Sequence, residues 1–159
     1  MKKQICIGLS VAACMTLAAH ANASGLTLSP NDTLEMQGLS VIVYQNSFHP
    51  FFFDEKNAGI QIILHGDRIA TDGEVRLNPT PEQWDPIPAF ASRVHGSKPG
   101  QLIVNSGYKN VDLKYRIEVT PEGQGFRIAV NLDRPLPQNL VGKAGFNLDF
   151  LPTAYFGKS

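Results

Sequence analysis

The sequence predicts an all-β protein, an antiparallel β-sandwich preceded by a cleaved signal peptide. Two stretches in its second half alternate apolar and polar residues with a period of two, the pattern of strands with one buried face. No window carries the 3.6-residue apolar stripe of an amphipathic helix. The 159 residues also include 14 glycines and 11 prolines, which favours short strands joined by turns over a helical bundle.

Composition excludes several classes of protein. With 43% hydrophobic and 18% charged residues, the chain can bury a core, and its length suits one domain. Its 14 basic and 14 acidic residues give a net charge of zero, so no basic surface for nucleic acid is expected. These values point to no particular activity.

The start of the chain has the three parts of an export signal. Two lysines form a basic start and an apolar run covers residues 5–19. Residues 19–21 and 21–23 then read A-H-A and A-N-A, both small-residue cleavage patterns. The apolar run is about 15 residues long, short of the roughly 20 that a transmembrane helix needs. We therefore expect a signal peptide over residues 1–23, cut after Ala23, and a β-sandwich module over residues 24–159.

The cleavage site has a second interpretation. Residues 11–14 read V-A-A-C and resemble a bacterial lipobox, in which Cys14 would carry a lipid anchor and become the first residue. Residues 15–19, however, continue the apolar run where a lipoprotein would begin a polar tether, so soluble export is favoured. By either route the chain is exported in a bacterium, to the periplasm, the outer membrane or the exterior.

Cysteine usage agrees with export. Cys6 and Cys14 are the only cysteines, and both lie within the signal. After a cut at Ala23 the mature chain has no disulfide, no cysteine zinc site and no thiol nucleophile. It then carries 12 basic and 14 acidic residues, a net charge of −2, because Lys2 and Lys3 leave with the signal. A slightly acidic exported domain suits a neutral ligand such as a carbohydrate.

The first half of the mature chain contains four predicted strand segments. Residues 39–44 and 60–64 are runs of β-branched and other apolar residues. The next three residues, H-G-D, have turn chemistry, so residues 68–71 are expected to return beside the second run. An Asp-Gly pair then leads into the fourth segment, residues 74–77.

The clearest pattern is a hairpin in the second half. Apolar and charged residues alternate over residues 111–119, and a second alternating stretch follows at 126–132. Between them residues 121–125, P-E-G-Q-G, interrupt the pattern. We expect an antiparallel hairpin over residues 112–131 at the centre of the sandwich. Residues 146–150 repeat the alternation in a last strand.

A proline-rich loop holds the candidate binding residues. Residues 78–88 contain four prolines, which remove backbone donors, so the segment is expected as a surface loop and not as a central strand. It carries Trp84, the only tryptophan, followed by Asp85. An aromatic ring can stack on a sugar face while a carboxylate accepts hydrogen bonds from hydroxyl groups, so Trp84 and Asp85 are the candidate substrate-binding residues. The competing interpretation is that Trp84 packs against the edge of the sandwich.

Three further groups of residues have structural explanations. Residues 51–53, F-F-F, cannot all face one side of a strand, so they form either an interface or a lid over the core. The mature histidines lie far apart without metal-binding spacing, so no metal site is expected. The carboxylates are expected as solvated charge, because their positions do not establish the separation of about 5–10 Å that glycoside hydrolysis needs. The histidines are His49, His65 and His95, and the carboxylates are Asp54, Glu55, Asp72, Glu74, Glu82 and Asp85.

One long segment resembles a known family. From Gly59 the chain reads GIQIILHGDRIATDGEVRL, then PTPEQWDPIP, then GFRIAVNLDRPLPQNLVGKAGFNLDFLPTAYFGKS. This resembles the N-terminal region of large secreted bacterial glycoside hydrolases of family nine, the endoglucanase-like enzymes. The resemblance covers roughly 100 of about 136 mature residues. It implies a structural module that precedes an immunoglobulin-like domain and a helical (α/α)6 barrel with the catalytic carboxylates. It therefore implies no catalytic residue within these 159 residues, and no cofactor is expected.

These observations predict the N-terminal accessory module of an exported glycoside hydrolase acting on polysaccharide, as a fragment without its catalytic domain. The apolar, strand-like stretch that ends abruptly in F-G-K-S favours truncation. The alternative is a free-standing secreted carbohydrate-binding or adhesion β-sandwich. In both cases the expected partner is a polysaccharide or oligosaccharide, contacted either by this chain or only through the missing catalytic domain, and neither nucleic acid nor a membrane span is expected.

Overall fold

The structure is a computed structural model that describes residues 25–45, 59–77 and 88–157. These residues form two antiparallel sheets of six and four strands, so the all-β prediction is confirmed. The predicted signal peptide, residues 1–23, lies outside the described residues. The strands are β1 (Thr27–Leu28), β2 (Leu34–Met36), β3 (Leu39–Val43), β4 (Ile60–Leu64), β5 (Asp67–Leu77), β6 (Ala89–His95), β7 (Leu102–Tyr108), β8 (Leu113–Glu122), β9 (Gly125–Leu132) and β10 (Ala144–Phe150).

The two sheets pack face to face around one hydrophobic core. The strand order is β1-β2-β3-β4-β5-β10 in the first sheet and β6-β7-β8-β9 in the second. Val41 and Ile60 of the first sheet and Val104 and Ile117 of the second are fully buried in the same cluster. Burying each such side chain stabilises the fold by about 1.5–3 kcal/mol. The core therefore lies between the two layers of a β-sandwich.

Strand β8 is the best-packed strand of the second sheet. Its inward residues, at every second position from Leu113 to Val119, are at most 2% exposed. Lys114 and Arg116, which lie between them, are exposed. Because successive side chains of a strand point to opposite faces, the alternating sequence fixes which face is buried. The period-two prediction is confirmed for this strand.

Two details of the predicted hairpin are wrong. The strand begins at Leu113, because residues 109–111 form a 3-10 turn and Asp112 reverses the chain in the left-handed region at φ 48°. Val111 therefore belongs to the turn and not to the strand. The hairpin is also not central as a unit, since β8 is flanked by two strands whereas β9 is an edge strand.

Strand β5 is a single strand where the sequence predicts two segments. The turn at His65 and Gly66 is confirmed, and both residues have positive φ. The strand continues through Asp72, which has φ 53° and lies where the register with β4 and β10 shifts, as in a β-bulge. Glycine is required at the next position, because a Cβ on Gly73 would lie 2.7 Å from the Cβ of Ile60. The Asp-Gly pair thus bends one strand and does not end it.

One buried hydrogen bond connects the two sheets through the core. The hydroxyl of Tyr108 on β7 donates to the carbonyl oxygen of Val75 on β5 at 2.8 Å. Tyr108 is 2% exposed, and its ring lies 6.3 Å from that of Tyr115. A buried hydroxyl without a partner is costly, so this bond favours one relative position of the sheets.

An ion cluster closes one side of the sandwich, and we call it the Asp32 cluster. Arg93, which lies opposite Val104 on the inward face of edge strand β6, donates from Nε to Val43 O at 2.8 Å and from Nη2 to Asp32 O at 2.7 Å. The Asp32 carboxylate lies 3.0 Å from both Arg93 Nη1 and His95 Nε2. Hydrogen bonding to Arg93 lowers the pKa of Asp32. Inward charge on an edge strand also discourages pairing with other chains.

The remaining elements in the described residues are short. Three 3-10 turns occur, at residues 109–111, 138–140 and 152–154, and this part of the chain contains no α-helix. It therefore has no helix long and apolar enough to span a membrane.

Candidate functional site

The candidate substrate-binding residues, Trp84 and Asp85, lie outside the described residues, as do His49 and residues 51–53. Their predicted roles stay predictions. The described residues build a different candidate site, on the outward face of the four-stranded sheet. Lys114 marks this face, because it lies on β8 between two buried residues.

A cleft of about 340 Å³ lies on β6, β7 and β8. Its floor is formed by residues with little or no side chain, namely Ala89, Ala91 and Gly107. Ala89 pairs with Gly107, which pairs with Lys114 on the next strand, so the register places these positions side by side. The volume lies within the range of about 300–1,000 Å³ that small-molecule sites occupy.

Gly107 is also required by the pairing of β7 with β8. A Cβ at this position would lie 2.4 Å from the carbonyl oxygen of Leu113. Any side chain would therefore push the two strands apart as well as fill the cleft. The depth of the cleft and the close approach of the strands have the same cause.

The rim of the cleft is held by contacts between two turns. Arg134, after β9, donates to the carbonyl oxygen of Asp112 and pairs with its carboxylate at 2.6 Å. The backbone N–H of Asp133 donates to Lys114 O at 3.1 Å. These bonds join the β7–β8 turn to the chain that leaves β9, so the rim is preorganised.

Three charged side chains at the cleft have no partner within the described part of the chain. They are Lys109, Lys114 and Asp133. Each ammonium group offers three donors, and the carboxylate offers acceptors only. The cleft thus presents unused donors and acceptors around a floor of small residues.

A row of polar side chains crosses the same face of the sheet. Ser92, Asn105, Arg116 and Asn131 lie opposite one another on the four adjacent strands. Asn105 Nδ2 donates to Ser92 Oγ at 3.0 Å, and Arg116 Nε and Asn131 Nδ2 contact Glu118 Oε1 at 3.0 and 3.2 Å. These contacts hold planar amide and guanidinium groups in place next to the cleft.

A second polar cluster, the Arg76 cluster, connects β5 and β10. Arg76 contacts three carboxylates, with Asp149 Oδ2 at 2.9 Å, Glu74 Oε1 at 3.5 Å and Asp72 Oδ2 at 3.8 Å. Burial raises the pKa of Glu74 to about 7, although the charge of Arg76 acts in the opposite direction. The expectation that Glu74 is solvated charge is wrong, because its side chain is only 18% exposed.

The Arg76 cluster has one property of a catalytic site and lacks another. A carboxyl group with a pKa near 7 can donate a proton at neutral pH, as general acids do. The guanidinium of Arg76, however, occupies the space on which the carboxylates of Glu74 and Asp149 converge. Glycoside hydrolysis needs that space for the sugar. The cluster therefore serves to hold β10 against β5.

The described histidines have structural contacts. His95 belongs to the Asp32 cluster. His65 packs over Gly38, where a Cβ would lie 2.6 Å from the imidazole ring. Among residues 25–45, 59–77 and 88–157, no group of three or more His, Cys, Asp or Glu side chains could hold a metal ion.

Comparisons of the chain with models of protein families, with curated proteins and with solved structures found no match. The cleft was not predictable from the sequence, because its floor and rim come from three strands and two turns that only the register brings together. The one local signal is the pairing of small residues, at positions 89, 91 and 107, with a charged turn. That combination is too common in sequences to indicate a site.

Proposed function

We propose that the chain is the N-terminal accessory module of an exported glycoside hydrolase that acts on polysaccharide. The observation that carries the proposal is the fold of the stretch that bears the family resemblance. Its described residues form strands β4 to β10 of the two-layer sandwich, the kind of module that the resemblance implies. A sandwich with preorganised faces suits a module that positions an enzyme on its substrate.

The two best-buried glutamates among the described residues support an accessory role. Glu74 is held by Arg76, and Glu118 is held by Arg116 at 3.0 Å. A glycosidase needs two carboxyl groups about 5–10 Å apart with a sugar between them. Carboxylates tied to cations on a sheet face serve structure instead.

In this accessory role, Trp84 and Asp85 would contact the saccharide. A stacking contact of this kind contributes about 1 kcal/mol by analogy with aromatic pairs, so the contact by itself gives weak binding. Titration of soluble β-glucans into wild-type protein and Trp84→Ala tests the assignment. We expect weaker binding by the variant, and equal binding would remove Trp84 from the site.

The gene sequence tests directly whether the chain is a module of a longer glycoside hydrolase. We expect in-frame codons beyond 159 that encode a domain with paired catalytic carboxylates. A stop codon there, together with a stable monomer that binds glycans, would favour the free-standing carbohydrate-binding or adhesion β-sandwich. We also expect the purified chain to hydrolyse no β-glucan, and turnover would overturn the accessory role.

The first residue of the mature protein tests the proposed export. Mass spectrometry of the mature protein from the bacterial envelope should find Ser24 as the first residue. A lipidated Cys14 at the N-terminus would replace soluble export by membrane anchoring. An intact Met1 would contradict export by either route.

A further inference from the structure

We infer that the cleft on the four-stranded sheet binds a neutral oligosaccharide through a site that needs neither Trp84 nor Asp85. The class of ligand rests on the proposed function. The place of binding follows from the shape and the polar groups of the cleft itself.

The charges at the cleft are of both signs, and a neutral ligand can contact all of them. Arg134 and Asp112 neutralise each other in a direct pair. Among the residues that the structure describes, the groups without a partner are the ammonium groups of Lys109 and Lys114 and the carboxylate of Asp133. An anionic ligand would meet the carboxylate, and a cationic ligand would meet two ammonium groups. The three groups sum to a charge of +1, and a neutral ligand that both donates and accepts hydrogen bonds can contact all three of them without like-charge repulsion.

The hydrogen-bonding groups favour a polyhydroxyl ligand. A sugar hydroxyl both donates and accepts, so adjacent hydroxyls can accept from Lys114 and donate to Asp133. An acyl chain in the same place would remove water from these charged groups. It would offer no hydrogen bonds in place of those that the groups make to water. The small floor residues, such as Ala91 and Gly107, let a flat pyranose ring approach the sheet.

The polar row extends the site to more than one sugar unit. Asn105 and Arg116 lie two residues along their strands from Gly107 and Lys114, which corresponds to about 7 Å. Asn105 also lines the cleft, so the row begins where the cleft ends. An oligosaccharide with one ring over Gly107 therefore reaches these fixed side chains with its next unit.

Filling the cleft tests the inference with a matched control. Ala91→Trp places a bulky side chain on the floor, and Thr27→Trp places the same side chain at an exposed position of β1, in the six-stranded sheet and away from both the cleft and the polar row. We expect Ala91→Trp to bind a neutral β-glucan hexasaccharide at least tenfold more weakly than wild type in an NMR titration. Thr27→Trp should bind as wild type does. Unchanged binding by Ala91→Trp would overturn the inference.

A second variant covers the case in which Ala91→Trp fails to fold, as judged by its thermal unfolding and its amide spectrum. Lys114→Met keeps the stem of the side chain and removes the donor, and we expect several-fold weaker binding. Wild-type affinity of Lys114→Met would then overturn the inference.

Further arms separate this inference from the proposed function. If Trp84→Ala abolishes binding while Ala91→Trp does not, the cleft is not the site and the accessory role stands. Tighter binding of a polyuronate than of the neutral hexasaccharide would overturn the neutral ligand. No binding of either by wild type would overturn the cleft site, and the codons beyond 159 would still decide the function.

Discussion

Strands β8 and β9 form one hairpin and share one sequence pattern, yet they are buried to different degrees. The inward residues of β8 are at most 2% exposed, whereas Ile128 and Val130 of β9 are only half-buried. The difference arises because β8 lies between two strands and β9 lies at an edge. Alternation therefore indicates which face of a strand is buried and carries no information on its position in the sheet.

The centre and the edges of the sandwich are also held by different forces. The centre is held mainly by apolar burial, whereas edge strand β6 is fastened by Arg93 and edge strand β10 by Arg76. Apolar burial is insensitive to protonation, while ion clusters depend on the pKa values of their members. Mutation and pH should therefore affect the two regions differently.

The largest effect is expected in the centre. Ile117→Ala should lower the free energy of unfolding by about 2–5 kcal/mol, because Ile117 is fully buried and truncation leaves a cavity. Ile128→Ala, at the edge, should cost about 1–2 kcal/mol, since its side chain removes less area from water. Urea unfolding of both variants measures the difference. Equal losses of unfolding free energy would show that a central and an edge position in the sheet do not differ in how much they contribute to stability.

Glu74→Gln should change how stability depends on pH. The pKa of Glu74 is about 7 in the fold and 4.5 without it, so the folded state keeps a proton that the unfolded chain releases. This carboxyl therefore lowers wild-type stability as pH rises from about 4.5 to about 7, by on the order of 3 kcal/mol. Glutamine cannot ionise, so the variant should lack this decrease. Unfolding free energies at pH 4.5 and pH 7.5 check this, and a constant difference between the two proteins would contradict it.

Arg93→Ala should destabilise the fold by about 2 kcal/mol at neutral pH, because it removes charged hydrogen bonds and leaves Val43 O without its partner. The pH trend is opposite to that of Glu74. The pKa of Asp32 is lowered in the fold, so its contribution is present at neutral pH and is lost as pH falls through that lowered value. Thermal unfolding should show the variant and wild type converging on acidification. A gap that widens at low pH would argue against this role of Asp32.

Arg127→Ala should have the smallest effect. Arg127 and Glu122 form a 2.6 Å ion pair, but their side chains are 44% and 54% exposed. Solvent screening leaves such pairs worth about 0–1 kcal/mol. The same unfolding experiments at low and high salt provide the check. A loss of stability as large as that of Arg93→Ala would mean that burial does not determine how much these ion pairs contribute to stability.

The sequence predicted the strands whose side chains follow a simple rule. Alternation identified β8 and β9, and runs of β-branched residues identified β3 and β4. No strand was predicted for the residues of β6, because Arg93 and His95 occupy inward positions and break the apolar alternation. Strand β7 was missed as well, since its second half is small and polar. Pairing with residues of other strands makes these segments strands, and a local sequence pattern carries no information on that pairing.

The candidate site was less accessible to sequence reasoning than the fold. The burial of Glu74 depends on what packs around β5, so its neighbours in the sequence made it look like any solvated carboxylate. The cleft depends on a register that brings Ala89 and Gly107 together across 18 positions of the chain. Trp84 and Asp85, which chemistry alone singled out, remain predictions.

The hydrogen bond from Tyr108 to Val75 gives the sandwich resistance to shear. Sliding one sheet over the other would leave a hydroxyl and a carbonyl group unpaired inside an apolar layer, whereas a wholly apolar interface offers no such marker of position. Neither sheet has this property alone. Because slippage of the layers would break this bond, an object bound to the outward face of one sheet keeps its orientation relative to the other, and the sandwich fixes direction as well as proximity.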